Sequence, residues 1–265
     1  MKIGLIGAGK MGLALARGIV ETQPQFSICM SDPASESRER FKEEIPDGEV
    51  LLDNQAVCQQ ADVVFLACKP QQLGLAIPQQ LHDDGCPLYI SILAGTPLGK
   101  IASTVGTDRV VRVMPNTACL IGKGVVGITY HDSLVAADRV LSKSLLENFG
   151  SVVEVEEHLM DAVTGVSGSG PAYVFQFVES LIQGGVNAGL QTEVARHLVV
   201  ETVIGAAEML KITGCGPAEL REQVSSPGGT TVAGLAILND HDFNRILEMA
   251  VGAAVKRSRE LAGLT

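Results

Sequence analysis

The chain has 265 residues, enough for one large domain or two smaller ones with buried cores. It is 46% hydrophobic and carries a formal net charge of -10. This acidic balance argues against nucleic-acid binding, because no face rich in Lys and Arg is apparent to meet phosphates. No apolar run reaches the roughly 20 residues that cross a bilayer, and Met1 leads directly into a strand-like segment, so we expect a cytoplasmic protein with no membrane partner.

Cysteine and histidine spacing gives no sign of a metal site. The six Cys are scattered without a Cys-x-x-Cys pair, which favours a reducing compartment, and the five His form no zinc-ligand pattern. Glu193, His197 and Glu201 recur every four residues on a predicted helix. Because Val194 and Leu198 give that helix an apolar face, an exposed polar stripe is the preferred interpretation. We therefore expect no metal.

Short apolar runs alternate with helical patterns over the first 158 residues, which predicts an α/β fold with a mostly parallel, Rossmann-type sheet. The predicted strands are 2–6, 26–30, 50–52, 63–67, 88–92, 110–114, 125–129 and 151–155. The first, fourth and fifth are almost unbroken apolar stretches, so we expect them to be covered on both faces.

Convincing strands disappear after His158, and the pattern changes to a period near 3.6 residues. This predicts an all-helical domain at 159–265, with helices at 159–164, 171–190, 192–213, 217–224, 229–239 and 243–264. The 171–190 segment is apolar on nearly all sides, which predicts a buried helix whose cover a partner subunit could supply.

A dinucleotide-binding fingerprint follows the first strand and opens a helix. Its residues are Gly7, Ala8, Gly9, Lys10, Met11 and Gly12. The first Gly allows a tight turn, the second lets a pyrophosphate approach the backbone, and the third lets the helix pack closely on the strand. The alternative, a simple Gly-rich turn, does not explain the strand before and the helix after.

The second strand ends near Ser31 and Asp32, which we assign to the cofactor site. A carboxylate there accepts hydrogen bonds from the ribose hydroxyls and repels a 2′-phosphate, which favours NADH over NADPH. Asp32-Pro33 is alternatively a strand-ending turn. Ser31, Ser35, Arg38 and Arg40 remain alternative ligands for the extra phosphate, so either NADH or NADPH is open.

The segment after the fourth strand lies at the sheet edge where open α/β folds bind ligands, so we assign Ala67, Cys68, Lys69 and Pro70 to the cofactor. Lys69 is alternatively a solvated loop lysine. Asn54 follows the third strand and is either a cofactor contact or only a helix N-cap. Ala94 and Asn116 complete the set of assigned cofactor residues.

Two Gly/Ser-rich segments, 165–173 and 225–231, are predicted to open helices in the second half. Unpaired backbone N–H groups and hydroxyls at a positive helix end make a cradle for a small carboxylate. Ordinary capping and close packing at Gly explain one such segment equally well.

These motifs resemble the pyrroline-5-carboxylate reductase family in this order along the chain. The segments that carry the resemblance are GAGKMG at 7–12, ACKP at 67–70, RVMPNT at 112–117, DAVTGVSGSGPAY at 161–173 and VSSPGGTT at 224–231. The resemblance implies reduction of 1-pyrroline-5-carboxylate to L-proline. It also implies a helical domain that interleaves with a second subunit, as a dimer or a decamer.

Site residues follow from the same resemblance. It implies a carboxylate-binding loop formed by Ser226, Gly228, Gly229, Thr230 and Thr231. The Thr231 hydroxyl would face the ring nitrogen, Ser169 would lie nearby, and Lys69 joins them as a catalytic candidate. Many bacterial members carry Asn-Arg where Asp32-Pro33 stands here, which leaves the NADPH preference open.

The sparse site suits imine chemistry. Hydride transfer to a protonated cyclic imine turns a positive nitrogen into a neutral amine, so no strong acid is needed. A hydroxyacid dehydrogenase of similar plan would need a Lys or His, and none occurs between Pro171 and Gly189. The remaining alternatives are a reductase of another cyclic imine carboxylate, one that uses a deazaflavin donor, or a nucleotide-sensing regulator without turnover.

Overall fold

A computed structural model describes residues 1–77 and 85–263. It contains one sheet in which the strands follow the order β3-β2-β1-β4-β5-β6-β7-β8. The strands are β1 (Lys2–Ile6), β2 (Ser27–Ser31), β3 (Glu49–Val50), β4 (Val63–Leu66), β5 (Leu88–Ser91), β6 (Val110–Met114), β7 (Gly124–Tyr130) and β8 (Gly150–Glu154).

Each predicted strand occurs, and the bounds move by at most two residues. Neighbouring strands run parallel from β3 to β6, whereas β6 and β7 are antiparallel. Because β1 lies between β2 and β4, the chain crosses to opposite sides of β1, and a crevice opens at the carboxyl end of that strand. The fold class predicted from the sequence is confirmed.

The core lies on both faces of the sheet. Every residue of β4 and β5 is buried, and so is β1 after Lys2. One apolar cluster includes Ile3, Leu5 and Phe65, and a second includes Ile6, Val64 and Leu66. Alternate residues of the same strands therefore point to opposite cores, which confirms that these strands are covered on both sides.

Helices connect and follow the strands. They are α1 (Lys10–Thr22), α2 (Ser35–Glu44), α3 (Asn54–Gln60), α4 (Leu73–Ala76), α5 (Leu98–Val105), α6 (Ala136–Glu147), α7 (Met160–Val163), α8 (Gly170–Asn187), α9 (Thr192–Thr213), α10 (Pro217–Gln223), α11 (Thr230–Asp240) and α12 (Phe243–Ala262). Of the predicted last helix 243–264, residue 264 lies outside the described residues.

The Gly/Ser-rich segment 165–173 was predicted to open a helix, and α8 does begin within it, but the residues before α8 are themselves helical. Residues Thr164–Gly168 form a π-helix that continues α7, and the N–H of Ser169 donates to Thr164 O (2.8 Å). The hydroxyls bond back along the helix, Thr164 Oγ1 to Met160 O and Ser167 Oγ to Val163 O. The hydroxyls of Thr164 and Ser167 therefore bond to the helical backbone of their own segment rather than pointing out as loop ligands.

The chain divides into two compact units at a place different from His158. One unit is Met1–Ser169 with the chain from Ala253 onwards, and the other is Gly170–Gly252. The end of α12 belongs to the first unit because Ser258 Oγ donates to the buried Asp161 carboxylate (2.6 Å). The sequence periodicity predicts the change from strands to helices, but it does not predict that the end of α12 packs with the first unit.

Unit Gly170–Gly252 has almost no core of its own. Among its residues only Ala195 is buried, and Phe175 of α8 is 65% exposed. Within one chain no residue of α8 is buried, so the predicted burial of the helix at 171–190 depends on cover from a partner subunit and stays a prediction. Apolar residues around this helix have no sheet to pack on within their own unit.

Candidate functional site

The glycine loop between β1 and α1 has the geometry of a phosphate cradle. Gly7 has a φ of +94°, and a Cβ on Gly12 would stand 2.6 Å from the Gly7 carbonyl oxygen, so this turn needs glycine at both positions. A Cβ on Gly9 would meet nothing within 4 Å. Gly9 also precedes the first residue of α1 with no side-chain cap, so the helix N-terminus is open to an anion.

The end of β2 holds this loop in place. Ser31 O accepts from the N–H of Gly7 (2.9 Å), and Asp32 Oδ2 accepts from the N–H of Ala8 (2.8 Å). The other oxygen, Asp32 Oδ1, accepts from the N–H of Ala34 (2.8 Å). Asp32 thus stabilises both its own turn and the glycine loop. Each of its two carboxylate oxygens keeps a free lone pair.

A cleft of about 680 Å³ opens at the carboxyl ends of β1, β2 and β4. The predicted cofactor residues that line it are Gly7, Gly9, Ser31, Asp32, Asn54, Ala67, Cys68 and Lys69. Ala8 and Gly12 are buried beneath it, and Lys10, Met11, Pro70, Ala94 and Asn116 do not line it.

The segment after β4 forms one wall. Ala67 donates its N–H to Ile6 O (2.9 Å), which brings Ala67 and Cys68 beside Gly7. Burial raises the pKa of the Cys68 thiol above its ordinary value, so this side chain is a neutral part of the wall. Lys69 precedes a short 3₁₀ turn and is exposed at the cleft. Lys69 is therefore the cation of this wall, and its role in catalysis stays a prediction.

Asn54 is not the N-cap of α3. Asp53 takes that position and accepts the N–H of Ala56 on Oδ1 (2.8 Å). The amide of Asn54 instead donates to Ala76 O (2.8 Å), which joins the start of α3 to the end of α4 across the cleft. The capping alternative for Asn54 is therefore wrong, and its side chain shapes the cleft.

Ala94 and Asn116 follow β5 and β6, whose carboxyl ends lie at the same sheet edge as the cleft. Asn116 precedes a 3₁₀ turn, and its Oδ1 accepts the N–H of Val125 (3.3 Å). That bond ties the β6–β7 connection together. A cofactor contact of either residue stays a prediction.

Several cleft residues were not assigned from the sequence. They are Ile6, Pro33, Ala34, Ser37, Leu52, Asp53, Gln72, Leu75 and Ala76, while Arg38 was only an alternative. Leu52 and Leu75 are 94% and 91% exposed, so two large apolar side chains stand at the cleft without cover. The sequence offers no signal for this, because Leu52 falls within the predicted third strand, Leu75 lies on α4, and their exposure appears only in the structure.

In unit Gly170–Gly252, the segment before α11 forms a tight turn. Ser226 O accepts the N–H of Gly229 (2.9 Å), and Pro227 and Gly228 are its central residues, with a φ of +72° at Gly228. These are features of a type II turn. The turn ends at Gly229, which is the N-cap of α11 and has no side chain to satisfy the first N–H groups. The sequence prediction of an open helix start at this segment agrees with the structure.

Thr230 and Thr231 begin α11 and are exposed. Thr231 Oγ1 makes no hydrogen bond to any residue that the structure describes, so it does not cap its own helix. Its hydroxyl is available to a ligand. Ser169 belongs to the other compact unit, where it is half-buried at the end of the π-helix.

Over the described part of the chain, no three His, Cys, Asp or Glu side chains come together as metal ligands. Within that same part, no helix has the length and apolar character needed to span a membrane.

Known proteins match both halves of the chain. A family model described as pyrroline-5-carboxylate reductase dimerisation matches residues 157–261, and one described as NADP oxidoreductase, coenzyme F420-dependent, matches residues 2–95. The pyrroline-5-carboxylate reductase of Synechocystis sp. is 40% identical over 263 residues, which is 98% of each chain.

Solved structures agree with this match. The reductase of Streptococcus pyogenes has a TM-score of 0.90 at 30% identity and covers 98% of both chains. That of Plasmodium falciparum, with NADP bound, has a TM-score of 0.87 at 31% identity, covering 99% of this chain and 98% of its own. The resemblance inferred from the sequence motifs is confirmed, and the chain belongs to the pyrroline-5-carboxylate reductase family.

Proposed function

We propose that this protein reduces 1-pyrroline-5-carboxylate to L-proline with NAD(P)H. The observation that carries the proposal is the match to pyrroline-5-carboxylate reductases over nearly the whole chain. That match includes both the glycine-loop cleft and the turn before α11, so it covers a place for the cofactor and a place for a carboxylate.

The described residues fit a dinucleotide. The open backbone at Gly9 and the uncapped start of α1 suit a pyrophosphate, and the exposed Leu52 and Leu75 suit an apolar ring. The nicotinamide supplies the hydride when bound. The residues of this chain position the cofactor. Ser31 and Asp32 hold the glycine loop in place, and the segment from Ala67 to Lys69 forms a wall of the cleft.

The substrate carboxylate is assigned to the turn and first N–H groups of α11. The N–H of Gly229 is already paired with Ser226 O, so the N–H groups of Gly228 and Thr230 are the ones left to favour a small anion at this positive helix end, and Ser226 contributes a hydroxyl. No Arg is needed for this task.

Thr231 is proposed to orient the ring nitrogen through its hydroxyl, while Ser169 and Lys69 are proposed to stand near the reacting atoms. The iminium brings its own proton and leaves as an amine, so orientation supplies most of the rate enhancement. Each of the three assignments is tested by its effect on kcat/KM.

The reaction is tested by mixing the purified protein with pyrroline-5-carboxylate and either NADH or NADPH, and following absorbance at 340 nm. We expect substrate-dependent oxidation of at least one cofactor, with proline as the product. Cofactor binding without turnover would favour the regulatory alternative, and turnover only with a different cyclic imine would move the substrate assignment.

Asp32→Asn should raise the NADPH/NADH ratio of kcat/KM, because it removes a charge that repels a 2′-phosphate. Both absolute values should also fall, since an amide cannot accept both the Ala8 and the Ala34 N–H groups as the carboxylate does. Steady-state kinetics with both cofactors measures this. An unchanged ratio would leave Asp32 a role in the loop only.

The helical half is a self-association domain, and we propose that it forms a dimer, with a decamer as the further assembly. Exposed apolar side chains of α8, α9 and α12 support this, among them Phe175, Ile204 and Met249. Covering each is worth about 1.5–3 kcal/mol, so a second copy is a strong source of stability. A cytoplasmic location stays a prediction.

Light scattering at micromolar concentration should give a dimer or larger species, and Phe175→Glu should shift it towards monomer or aggregate. Val140→Glu is the control, because Val140 is equally exposed (69%) but lies on α6 of the other unit. A folded, active monomer of the unmodified protein would contradict the proposal.

A further inference from the structure

We propose that Arg38 is the residue that lets this protein accept a cofactor with a 2′-phosphate. This inference rests on the proposed function and names which side chain determines cofactor specificity within it.

Arg38 is fixed at the place where the adenosine ribose is expected. It lies on α2 and lines the cleft after β2. Its Nη1 donates to Asp32 O and to Pro33 O, both at 2.8 Å. In Rossmann folds the ribose binds beside this end of the second strand. Because two backbone carbonyls hold it, the half-buried guanidinium is preorganised for a ligand. Its side chain would therefore lose little further conformational entropy on binding.

Arg38 also keeps its charge for a ligand. In the part of the chain that the structure describes, no carboxylate oxygen lies within 4.0 Å of its guanidinium. Arg40, two residues along the same helix, is paired with Glu36 (2.8 Å). The remaining N–H groups of Arg38 suit two phosphate oxygens, and Ser37 adds a hydroxyl at the same cleft.

The opposing charge is Asp32. Its carboxylate repels a 2′-phosphate, yet both of its oxygens already accept backbone N–H groups, from Ala8 and from Ala34. Those two bonds and the neighbouring Arg38 guanidinium offset the repulsion between the Asp32 carboxylate and a 2′-phosphate. Without Arg38, the repulsion by Asp32 weakens the binding of NADPH. NADH has no 2′-phosphate, so it keeps its contacts. The two cofactors should thus respond differently to one substitution.

The experiment compares the unmodified protein with Arg38→Ala, Arg38→Lys and the control Arg40→Ala. Fluorescence titration gives the Kd of NADPH and of NADH, and calorimetry gives the Kd of 2′,5′-ADP and of 5′-AMP as fragments with and without the phosphate. No substrate is present, so failure of the proposed imine reduction does not affect the result.

We expect Arg38→Ala to weaken NADPH and 2′,5′-ADP about 10- to 100-fold and to leave NADH and 5′-AMP within about 3-fold, because one charge-assisted phosphate contact is lost. Arg38→Lys should recover part of the loss, and Arg40→Ala should change neither cofactor. The NADPH-specific part should shrink as salt rises.

Three results overturn the inference. Equal losses for NADPH and NADH in Arg38→Ala would mean that the arginine only holds the carbonyls of Asp32 and Pro33. Equal effects of Arg38→Ala and Arg40→Ala on the Kd of NADPH would show that Arg38 is not a specific ligand of the 2′-phosphate. An unmodified protein that binds NADPH more than about ten-fold more weakly than NADH would show that no 2′-phosphate site exists.

Discussion

Gly9→Asp should abolish NAD(P)H binding in a protein that still folds and associates. A side chain at Gly9 meets nothing within 4 Å, and its φ of -65° suits any residue, so the substitution adds a charge without a clash. That charge would stand at the uncapped start of α1, where the pyrophosphate is expected. Calorimetric titration should show no binding at cofactor concentrations that saturate the unmodified protein.

Gly9→Asn is the matched control, because it has the same shape without the charge. If Asn and Asp variants both bind normally, the pyrophosphate does not approach Gly9 and the fingerprint assignment fails. If both lose binding equally, bulk and not charge is responsible.

Gly12→Val tests the same loop by sterics. Its added Cβ would stand 2.6 Å from Gly7 O and 3.1 Å from the Ala67 side chain, so the loop must move. Binding should again be lost, here together with a lower thermal midpoint. Unchanged affinity in both Gly9→Asp and Gly12→Val would contradict the assignment of this cleft to the cofactor.

The sheet could be predicted from the sequence because local and global signals agree in it. The runs at β1, β4 and β5 are apolar at almost every position, with Lys2 and Ser91 as the exceptions, and this pattern favours a strand that is buried on both faces. The antiparallel β7 was not predicted. Only a short 3₁₀ turn, Thr117–Ile121, stands between β6 and β7, which leaves no helix for a parallel crossover.

The π-helix at Thr164–Gly168 shows why Gly and Ser are ambiguous. Both residue types favour turns and caps, yet here the hydroxyl of Ser167 returns to Val163 O and the helix continues. A side chain of Met114 also lies 2.6 Å from where a Cβ on Gly168 would be. Gly168 therefore allows close packing rather than an open loop, a difference that only tertiary contacts decide.

The sequence could predict which residue types would contact the cofactor, but not which of those side chains are unpaired and reach the cleft. Arg38 and Arg40 are equivalent in sequence as phosphate ligands, and only the structure pairs Arg40 with Glu36 and leaves Arg38 at the cleft. Asp32 was likewise expected at the cofactor, but its bonds to the glycine loop depend on the approach of β2 to β1.

Thr231→Ala should lower kcat/KM for pyrroline-5-carboxylate by about 10- to 1,000-fold, about 1.4–4 kcal/mol, without eliminating turnover. The hydroxyl is proposed to orient the imine nitrogen, and no acid is lost with it because the iminium carries its own proton. NADH affinity should stay nearly unchanged, since Thr231 does not line the glycine-loop cleft.

Two matched variants separate orientation from shape. Thr231→Ser keeps the hydroxyl and should retain most activity, whereas Thr231→Val keeps the shape and should behave like Thr231→Ala. The thermal midpoint should move little in all three, because the N-cap of α11 is Gly229 and Thr231 Oγ1 bonds no described residue, so the ~0.5–2 kcal/mol of a lost cap does not apply. Normal kinetics in Thr231→Val would place Thr231 outside the site. Complete loss of turnover with an unchanged midpoint, at any substrate concentration, would instead make the hydroxyl a proton donor, because lost orientation alone slows a reaction that still proceeds.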